Sequence, residues 1–181
     1  MKNLKIKIAT NKDVKTIKNI INQMYGYEYE GRTENLIAHA IDNNKEIYVL
    51  AYKEKSCIGF AGASLNISYY ADIITPDIAV IDYIYVDENC RSITLAFDII
   101  SKLFKTLLTL RIKQAIMQVQ TYNKQRFFHY ALSDKNIIKT TPIENKDQIY
   151  EDQILLIEDL EKTFNMTFRE IIHKAHNYKS K

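Results

Sequence analysis

The sequence has 181 residues, of which 46% are hydrophobic and 26% are charged, with only four glycines and two prolines. This composition is typical of one globular domain with a substantial core, and it excludes a disordered or fibrous chain. The formal net charge of +3 does not by itself indicate nucleic-acid binding.

Several other classes of protein are excluded by what the sequence lacks. No apolar run approaches the roughly 18 residues of a membrane helix. The N-terminus, where Lys alternates with Ile and Leu, has no signal-peptide core. Cys57 and Cys90 are too few and too far apart to indicate a disulfide framework or a zinc site. We therefore predict a cytoplasmic protein with reduced thiols, no metal and no membrane contact.

The first half of the chain is predicted to contain both kinds of secondary structure. Alternating polar and apolar residues indicate strands, and apolar residues three or four apart indicate helices. Thr10 or Asn11 and then Thr33 are suitable helix caps, and the polar turn "EKS" predicts a hairpin. The predicted strands are 5–9, 47–53, 57–68 and 78–87, and the predicted helices are 10–25 and 33–44.

The second half continues the alternation of helix and strand. An apolar helix is predicted over 94–110, followed by a strand over 115–122 and a helix over 123–134. Strands over 136–142 and 153–160 then close the sheet, and an amphipathic helix with a basic tail ends the chain. This order predicts an α/β domain with mixed strand directions.

The turn between the fourth strand and the apolar helix has the layout of a phosphate site. A helix that begins after a buried strand points its free N–H groups, and the positive end of its dipole, at the turn. Ser92 and Thr94 carry hydroxyls that cap the helix or donate to a phosphate, and Arg91 supplies positive charge. An ordinary capped helix explains these residues equally well.

The whole chain resembles the GCN5-related N-acetyltransferase (GNAT) family. The family's cofactor turn reads Gln or Arg, two residues, Gly, one residue, then Gly or Ala. Residues 91–96, "RSITLA", keep the Arg and the final Ala but have Thr94 in place of the first Gly. The strand "VIDYIYVDE" before this turn, and Asn123 followed seven positions later by Tyr130, also match the family, whereas its usual Gly-Phe pair is absent. The resemblance covers residues 4–160.

The resemblance implies a fold and a domain organisation. The fold is that of a single-domain acyl-CoA N-acyltransferase, with a central mixed, mostly antiparallel sheet flanked by helices. The N-acetyltransferase domain would occupy residues 1–160. Residues 161–181 lie outside the resemblance; their amphipathic pattern predicts an extra C-terminal helix with a basic tail, which packs on its own domain or pairs two subunits in a homodimer.

The resemblance also implies acetyl-CoA as the cofactor. The pantetheine would run as an extra strand between the fourth and fifth strands, and the pyrophosphate would lie on the N–H groups of the turn. The implied cofactor-binding residues are Ile84, Tyr85, Val86, Arg91, Ser92, Ile93, Thr94, Leu95, Ala96 and Asn123.

Two residues are candidates for proton transfer. The resemblance places Tyr130 as the acid that protonates the leaving thiolate, and a phenol keeps its proton at neutral pH. Asp82 lies in an otherwise apolar strand at a position where many family members carry Glu, and burial would raise its pKa towards that of a base. Tyr83 is expected on the opposite side of the strand. Purely structural roles for Tyr130 and Asp82 stay open.

The acceptor is predicted to be a cationic amine. Tyrosines alternate with carboxylates in the loop between the first two helices, and more tyrosines follow the third strand. Aromatic faces and carboxylates attract a cation, so a polyamine, an aminosugar or another small amine, or a protein lysine would suit them. An ordinary amphipathic loop stays an alternative. The predicted substrate-binding residues are Tyr27, Glu28, Tyr29, Glu30, Tyr69 and Tyr70.

Two further hypotheses come from the departures from the family pattern and from the charge distribution. The glycine-free turn and the missing Gly-Phe pair suggest a non-catalytic binding or regulatory module on the same fold. Residues 101–140 carry eight Lys or Arg and one acid, which suggests a toxin-like acetyltransferase of charged tRNA. The clustered aromatic and basic surface of RNA-binding proteins is not evident, so nucleic acid is not the expected partner.

Overall fold

The computed structural model describes residues 3–65, 78–120, 138–143, 152–157 and 159–164. Short 3₁₀ turns at Asn11–Asp13 and Glu88–Cys90 precede the first and third helices. The helices are α1 (Val14–Tyr25), α2 (Glu34–Asp42), α3 (Ile93–Thr109) and α4 (Leu160–Phe164). The strands are β1 (Leu4–Ile8), β2 (Glu46–Lys53), β3 (Ser56–Leu65), β4 (Ile78–Val86), β5 (Gln114–Gln120), β6 (Ile138–Ile143) and β7 (Asp152–Ile157).

The strands of the described part form one seven-stranded sheet in the order β1-β2-β3-β4-β5-β7-β6. Every neighbouring pair is antiparallel except β4 and β5, which are parallel and are connected through α3. A parallel pair needs such a crossover connection. The sheet is therefore mixed and mostly antiparallel, which confirms the predicted fold class.

The sheet has a hydrophobic core on each face. On one face, α3 buries a continuous row that includes Leu95, Ile99 and Leu103 against apolar side chains of β2, β3 and β4. Each such fully buried side chain contributes about 1.5–3 kcal/mol to folding. On the other face, α1 and α2 cover a smaller core that contains Ile17 and Phe60. This second face also carries buried tyrosines, and polar side chains lie beside them.

The entry to α1 is held by a buried carboxylate. The side chain of Asp13 accepts hydrogen bonds from the Thr10 N–H at 3.0 Å and from the Thr10 hydroxyl at 3.1 Å. The Lys7 Nζ atom lies 2.6 Å from the same carboxylate. Burial acts to raise the pKa of Asp13, but Lys7 and the Thr10 donors outweigh it, so the pKa lies below its ordinary value.

The ends of several elements differ from the sequence-based prediction. The strand predicted over 153–160 ends at Ile157, and α4 begins at Leu160, so that prediction was too long. The helix predicted over 123–134 and the chain beyond 164 lie outside the described residues. Among the described helices, none is long and apolar enough to cross a membrane.

Candidate active site

The parallel strands β4 and β5 separate halfway along β4. Their pairing runs from Ile78 opposite Gln114 to Ile81 opposite Met117. Beyond this point β4 continues beside β3 up to Val86, while β5 continues beside β7 up to Gln120. Within the described residues, the second half of β4 therefore has no strand partner on its β5 side, and a gap opens in the sheet.

A β-bulge lies at the point where the strands separate. Tyr83 pairs with Gly62, but the next pair along is Ile81 with Ala63, so Asp82 is the extra residue. A bulge changes which way the following side chains point. Tyr83 therefore packs in the core under α1 and α2, where burial raises its pKa and the nearby Arg32 guanidinium partly opposes this rise; Arg32 also acts on the charge of Asp82. The expectation that Tyr83 lies on the opposite side of the strand from Asp82 was wrong, because simple alternation does not hold across a bulge.

The carboxylate of Asp82 lies in a polar environment that is crowded by protein atoms. The residue is exposed to solvent although protein atoms surround its carboxylate, and the Ser64 hydroxyl donates to its Oδ2 atom. Burial raises the pKa of Asp82 above its ordinary value, while Ser64 and the Arg32 guanidinium partly oppose this rise and Glu46 adds to it. This is the direction that a general base near neutral pH requires.

A polar network that the sequence did not indicate lies beside Asp82. Arg32, from the loop between α1 and α2, forms a salt bridge with Glu46 at the start of β2, and their side chains are only 25% and 9% exposed. Burial acts to lower the pKa of Arg32, but Glu46 raises it above its ordinary value. The second carboxylate oxygen of Glu46 accepts a hydrogen bond from the buried Tyr48 hydroxyl. Both oxygens of this nearly buried carboxylate therefore have a partner.

The network rests on a layer of aromatic rings. The ring centroid of Phe60 lies 5.6 Å from that of Tyr48 and 5.5 Å from that of Tyr83. A Cβ atom on Gly62 would lie 2.9 Å from atoms of both tyrosine rings. Gly62 is therefore the residue that lets Tyr48 and Tyr83 approach β3 closely enough to reach Glu46 and Arg32.

The loop between α1 and α2 is fixed through the backbone of Tyr29. Its N–H donates to Asn22 at 3.0 Å, and its carbonyl accepts from the buried Lys18 Nζ atom at 2.6 Å and from the Arg32 N–H at 3.3 Å. The Tyr29 ring stacks on Tyr25, with centroids 4.3 Å apart. These hydrogen bonds hold the loop against α1.

Of the predicted substrate-binding residues, the structure brings together those of this loop. Tyr27 lies beside the stacked pair and is 60% exposed. Glu28 and Glu30 are also exposed. The pKa of Tyr25 is raised by burial and by its neighbours Tyr29 and Tyr27, and Asp82 and Arg32 also act on it. The aromatic cluster thus lies within electrostatic range of the Asp82 network.

The turn before α3 is a regular capped helix start. Ser92 has an extended backbone and its Oγ atom accepts from the Leu95 N–H at 3.0 Å. Thr94 is an exposed helical residue, and it is not among the described non-glycine residues with positive φ, which are Asn3, Asn44, Glu54 and Arg111. Since its backbone does not need a glycine, Thr94 introduces no strain.

The side chain and backbone groups around this turn remain accessible. The Arg91 guanidinium is exposed, with Nη2 3.4 Å from Glu88 and Nε 3.5 Å from the carbonyl oxygen of Val86. In the first turn of α3 the Leu95 N–H donates to the Ser92 hydroxyl and the Ala96 N–H donates to the Ser92 carbonyl at 3.2 Å, which leaves the N–H groups of Ile93 and Thr94 for a ligand. The Ser92 hydroxyl still has its proton to donate.

The gap beside β4 exposes backbone groups to an extended ligand. The Asp87 N–H donates to Ile58 of β3 at 3.0 Å, and hydrogen-bonded residues alternate along an antiparallel pair. By this alternation Tyr85 bonds to β3, whereas Ile84 and Val86 direct their N–H and carbonyl groups towards the gap. The contact of Arg91 with the Val86 carbonyl agrees with this assignment.

The remaining predicted site residues cannot be compared with the structure. Tyr69, Tyr70, Asn123 and Tyr130 lie outside the described residues, so their roles stay predictions. In the part of the chain that the structure describes, no cluster of His, Cys, Asp and Glu is suited to a metal ion.

Comparison with known proteins identifies the family. A model of the acetyltransferase (GNAT) family matches residues 14–130, which is more than half of the chain. The chain therefore belongs to the GNAT acetyltransferase family, as its sequence patterns predicted. A search of curated protein sequences finds no match.

Solved structures share this fold at low sequence identity. The paia N-acetyltransferase of Thermoplasma acidophilum, solved with coenzyme A, is 16% identical over 86% of this chain and 98% of its own, with a TM-score of 0.60. The yncA protein of Salmonella typhimurium, solved with its cofactor acetyl-CoA, is 11% identical over 86% and 94%, with a TM-score of 0.66. An N-acetyltransferase of Staphylococcus aureus is 19% identical over 88% and 99%, with a TM-score of 0.64.

The site fits the cofactor that this family uses, acetyl-CoA. The gap beside β4 offers backbone donors and acceptors at Ile84 and Val86 to an extended, amide-containing chain. At the end of this gap, the first turn of α3 and Arg91 offer N–H groups and a positive charge to phosphates. The predicted cofactor is thus confirmed at the level of the family, and the described residues suit it.

Proposed function

We propose that this protein is an N-acetyltransferase that transfers an acetyl group from acetyl-CoA to a primary amine by direct attack of the amine on the thioester. The observation that carries the proposal is the position of Asp82. Its carboxylate lies on the bulge of β4, where β4 parts from β5 and next to the tyrosine cluster of the α1–α2 loop.

Acetyl-CoA, when bound, supplies the thioester carbonyl that accepts the amine. Its phosphates would rest on the N–H groups of the first turn of α3, with Arg91 adding charge. Backbone groups of Ile84 and Val86 would hold the extended arm, as one more strand would do. Thr94 is compatible with this binding because its backbone is helical and its side chain is exposed.

Asp82 is proposed to act as the general base. An amine is protonated at neutral pH and must lose a proton before it attacks, so a carboxylate with a raised pKa is a suitable acceptor. Ser64 donates to the Oδ2 atom, which leaves Oδ1 to take the proton directly or through a water molecule. As the N–C bond forms and the C–S bond breaks, Tyr130 is proposed to give its proton to the leaving sulfur.

The acceptor is proposed to be a cationic amine: a polyamine, an aminosugar or another small amine, or a protein lysine. The support is the combination of Tyr25, Tyr27 and Tyr29 with the exposed carboxylates Glu28 and Glu30. Aromatic faces attract ammonium groups, and the attraction grows when water is excluded. The predicted contributions of Tyr69 and Tyr70 remain part of this proposal.

The test is a thiol-release assay with acetyl-CoA and a panel of amines of these classes. Asp82→Asn should lower kcat/KM by about 100-fold or more, the usual contribution of a general base. Asp98→Asn is the matched control, because Asp98 also has a pKa raised by burial but lies on α3, over the other face of the sheet. Tyr130→Phe should lower turnover with little change in cofactor affinity.

Two results would count against the proposal. Equal activities of the Asp82→Asn and Asp98→Asn variants would remove Asp82 from the mechanism. Acetyl-CoA binding without transfer to any amine would favour the non-catalytic module. A charged-tRNA acceptor would instead show binding that weakens steeply with salt, because phosphate contacts release counterions.

A further inference from the structure

The network of Arg32, Glu46 and Asp82 has a feature that folding alone does not explain. Arg32 belongs to a surface loop, yet its side chain is largely removed from solvent and paired with the nearly buried Glu46. Taking both charges out of water is unfavourable unless the geometry compensates. Glu46 lies directly opposite Ser64 across β2 and β3, and the Ser64 hydroxyl donates to Asp82, so the pair adjoins a third charge instead of forming an isolated bridge.

Both charges of the pair act on Asp82, in opposite directions. Arg32 favours the ionised form of Asp82 and Glu46 disfavours it. The other groups that face Asp82 among the described residues are the Ser64 hydroxyl on β3, Tyr83 on β4 and Tyr25 on α1. Since neither tyrosine is ionised near neutral pH, Arg32 and Glu46 are the charged groups among these described neighbours of Asp82.

Arg32 also links the acceptor loop to the bulge. Its backbone N–H donates to the Tyr29 carbonyl at 3.3 Å, and its guanidinium bonds to Glu46 and lies within electrostatic range of the Tyr83 hydroxyl. Arg32 therefore holds the tyrosine loop through its backbone, while its side chain lies between the start of β2 and the bulge on β4. Displacing it would change the loop and the electrostatics of Asp82 together.

We propose that Arg32 and Glu46 are an opposed pair of positioning residues: Arg32 holds the Asp82 carboxylate ionised and in place, and Glu46 limits that effect while fixing Arg32. This rests on the proposed role of Asp82 as base. In such an arrangement the pair sets the pH at which the site becomes active, without either residue touching the reacting atoms. The free guanidinium of a lone Arg32 would instead pair with Asp82 and weaken it as a base.

The test is to measure the pH titration of Asp82 itself by NMR, using protein with ¹³C-labelled aspartate carboxyl groups. The Asp82 signal is identified by its absence in Asp82→Asn. Arg32→Gln should move the Asp82 midpoint to higher pH, because the favourable positive charge is lost. Glu46→Gln should move it to lower pH, because a like charge is lost and Arg32 is freed. Arg32→Lys, which keeps the charge, should stay closer to the parent than Arg32→Gln.

Controls separate this electrostatic role from a merely structural one. Lys105→Gln removes one positive charge from an exposed position on α3 and should leave the Asp82 midpoint unchanged. Because Arg32→Gln leaves Glu46 without its cation, the fold of each variant is checked by its amide spectrum. Should Arg32→Gln not fold, the shift in Glu46→Gln still decides, because that substitution preserves shape.

Opposite shifts in the two variants support the proposal, and shifts in the same direction or no shift overturn it. The titration needs neither acetyl-CoA nor an amine, so its outcome is independent of whether transfer occurs. If the shifts are as expected but no amine is acetylated, the pairing is correct and the proposed function is wrong. If transfer depends on Asp82 but the Asp82 titration midpoint is the same in the parent and in both variants, the proposed function is correct and the proposed pairing is wrong.

Discussion

The cap of α3 gives a prediction that separates the stability of the turn from its proposed role in cofactor binding. In the parent, the Leu95 N–H donates to the Ser92 Oγ atom at 3.0 Å. The substitution Ser92→Ala removes this acceptor. Loss of a helix cap costs about 0.5–2 kcal/mol. Leu95 is fully buried, so water replaces the lost acceptor poorly and the expected cost is in the upper half of that range, about 1–2 kcal/mol.

The assay is thermal denaturation of the parent and three variants without ligand. At this chain length 1 kcal/mol corresponds to about 2–4 °C, so Ser92→Ala should lower Tm by about 2–8 °C. Ser92→Thr keeps the hydroxyl and should melt close to the parent. Ser92→Asp also keeps the cap, but it places a carboxylate where phosphates would bind, so it should retain stability and lose acetyl-CoA affinity. An unchanged Tm in Ser92→Ala would refute the reasoning about the cap.

Three further predictions concern the sheet and its carboxylates. Gly62→Ala should lower the free energy of unfolding by about 1–3 kcal/mol in a urea titration, because the rings of Tyr48 and Tyr83 must move; an unchanged midpoint would contradict this. Asp82→Asn should raise Tm at pH 7, because burial disfavours the charged form in the folded state, and the gain should disappear as the pH falls and the carboxyl becomes protonated. The ionisation of Asp13 has the opposite effect on stability, because its pKa in the folded state is lowered. It stabilises the fold at pH values above the unfolded pKa of about 3.9, and this stabilisation is lost as the pH falls through the folded pKa. Asp13→Asn should therefore melt below the parent at neutral pH, and the difference should narrow in acid.

Much of the fold could be predicted because local patterns determine it. The apolar spacing in α1 and α3, and the caps Thr33 and Ser92, mark helices that the structure contains. The β2–β3 hairpin also follows from local sequence, through the polar turn between two apolar runs. Ends of elements were less well predicted, as in β7: two acids follow Ile157, and Asp159 accepts from the Lys162 N–H at 2.8 Å at the start of α4, a cap signal that the prediction missed.

The candidate site was only partly predictable because its key contacts join distant parts of the chain. Asp82 was found as a lone charge in an apolar strand. The neighbouring sequence, however, does not predict the bulge that places Tyr83 on the same face of the sheet as Asp82. Ser64 is one polar residue in an apolar strand, and this could have suggested a partner. Arg32 and Glu46 carry no such signal, because charged residues in a loop and at a strand start are usually solvated.

The most direct test of the account is the binding of acetyl-CoA to the purified protein, measured as a shift in Tm. Ligand at about 100 times its Kd should stabilise the fold by about 2.7 kcal/mol, a rise of several degrees at this size. We expect that rise in the parent, little change in Thr94→Gly relative to it, and a smaller rise in Arg91→Ala. No rise in the parent at millimolar acetyl-CoA would contradict the proposed cofactor site and, with it, the proposed acetyltransferase activity.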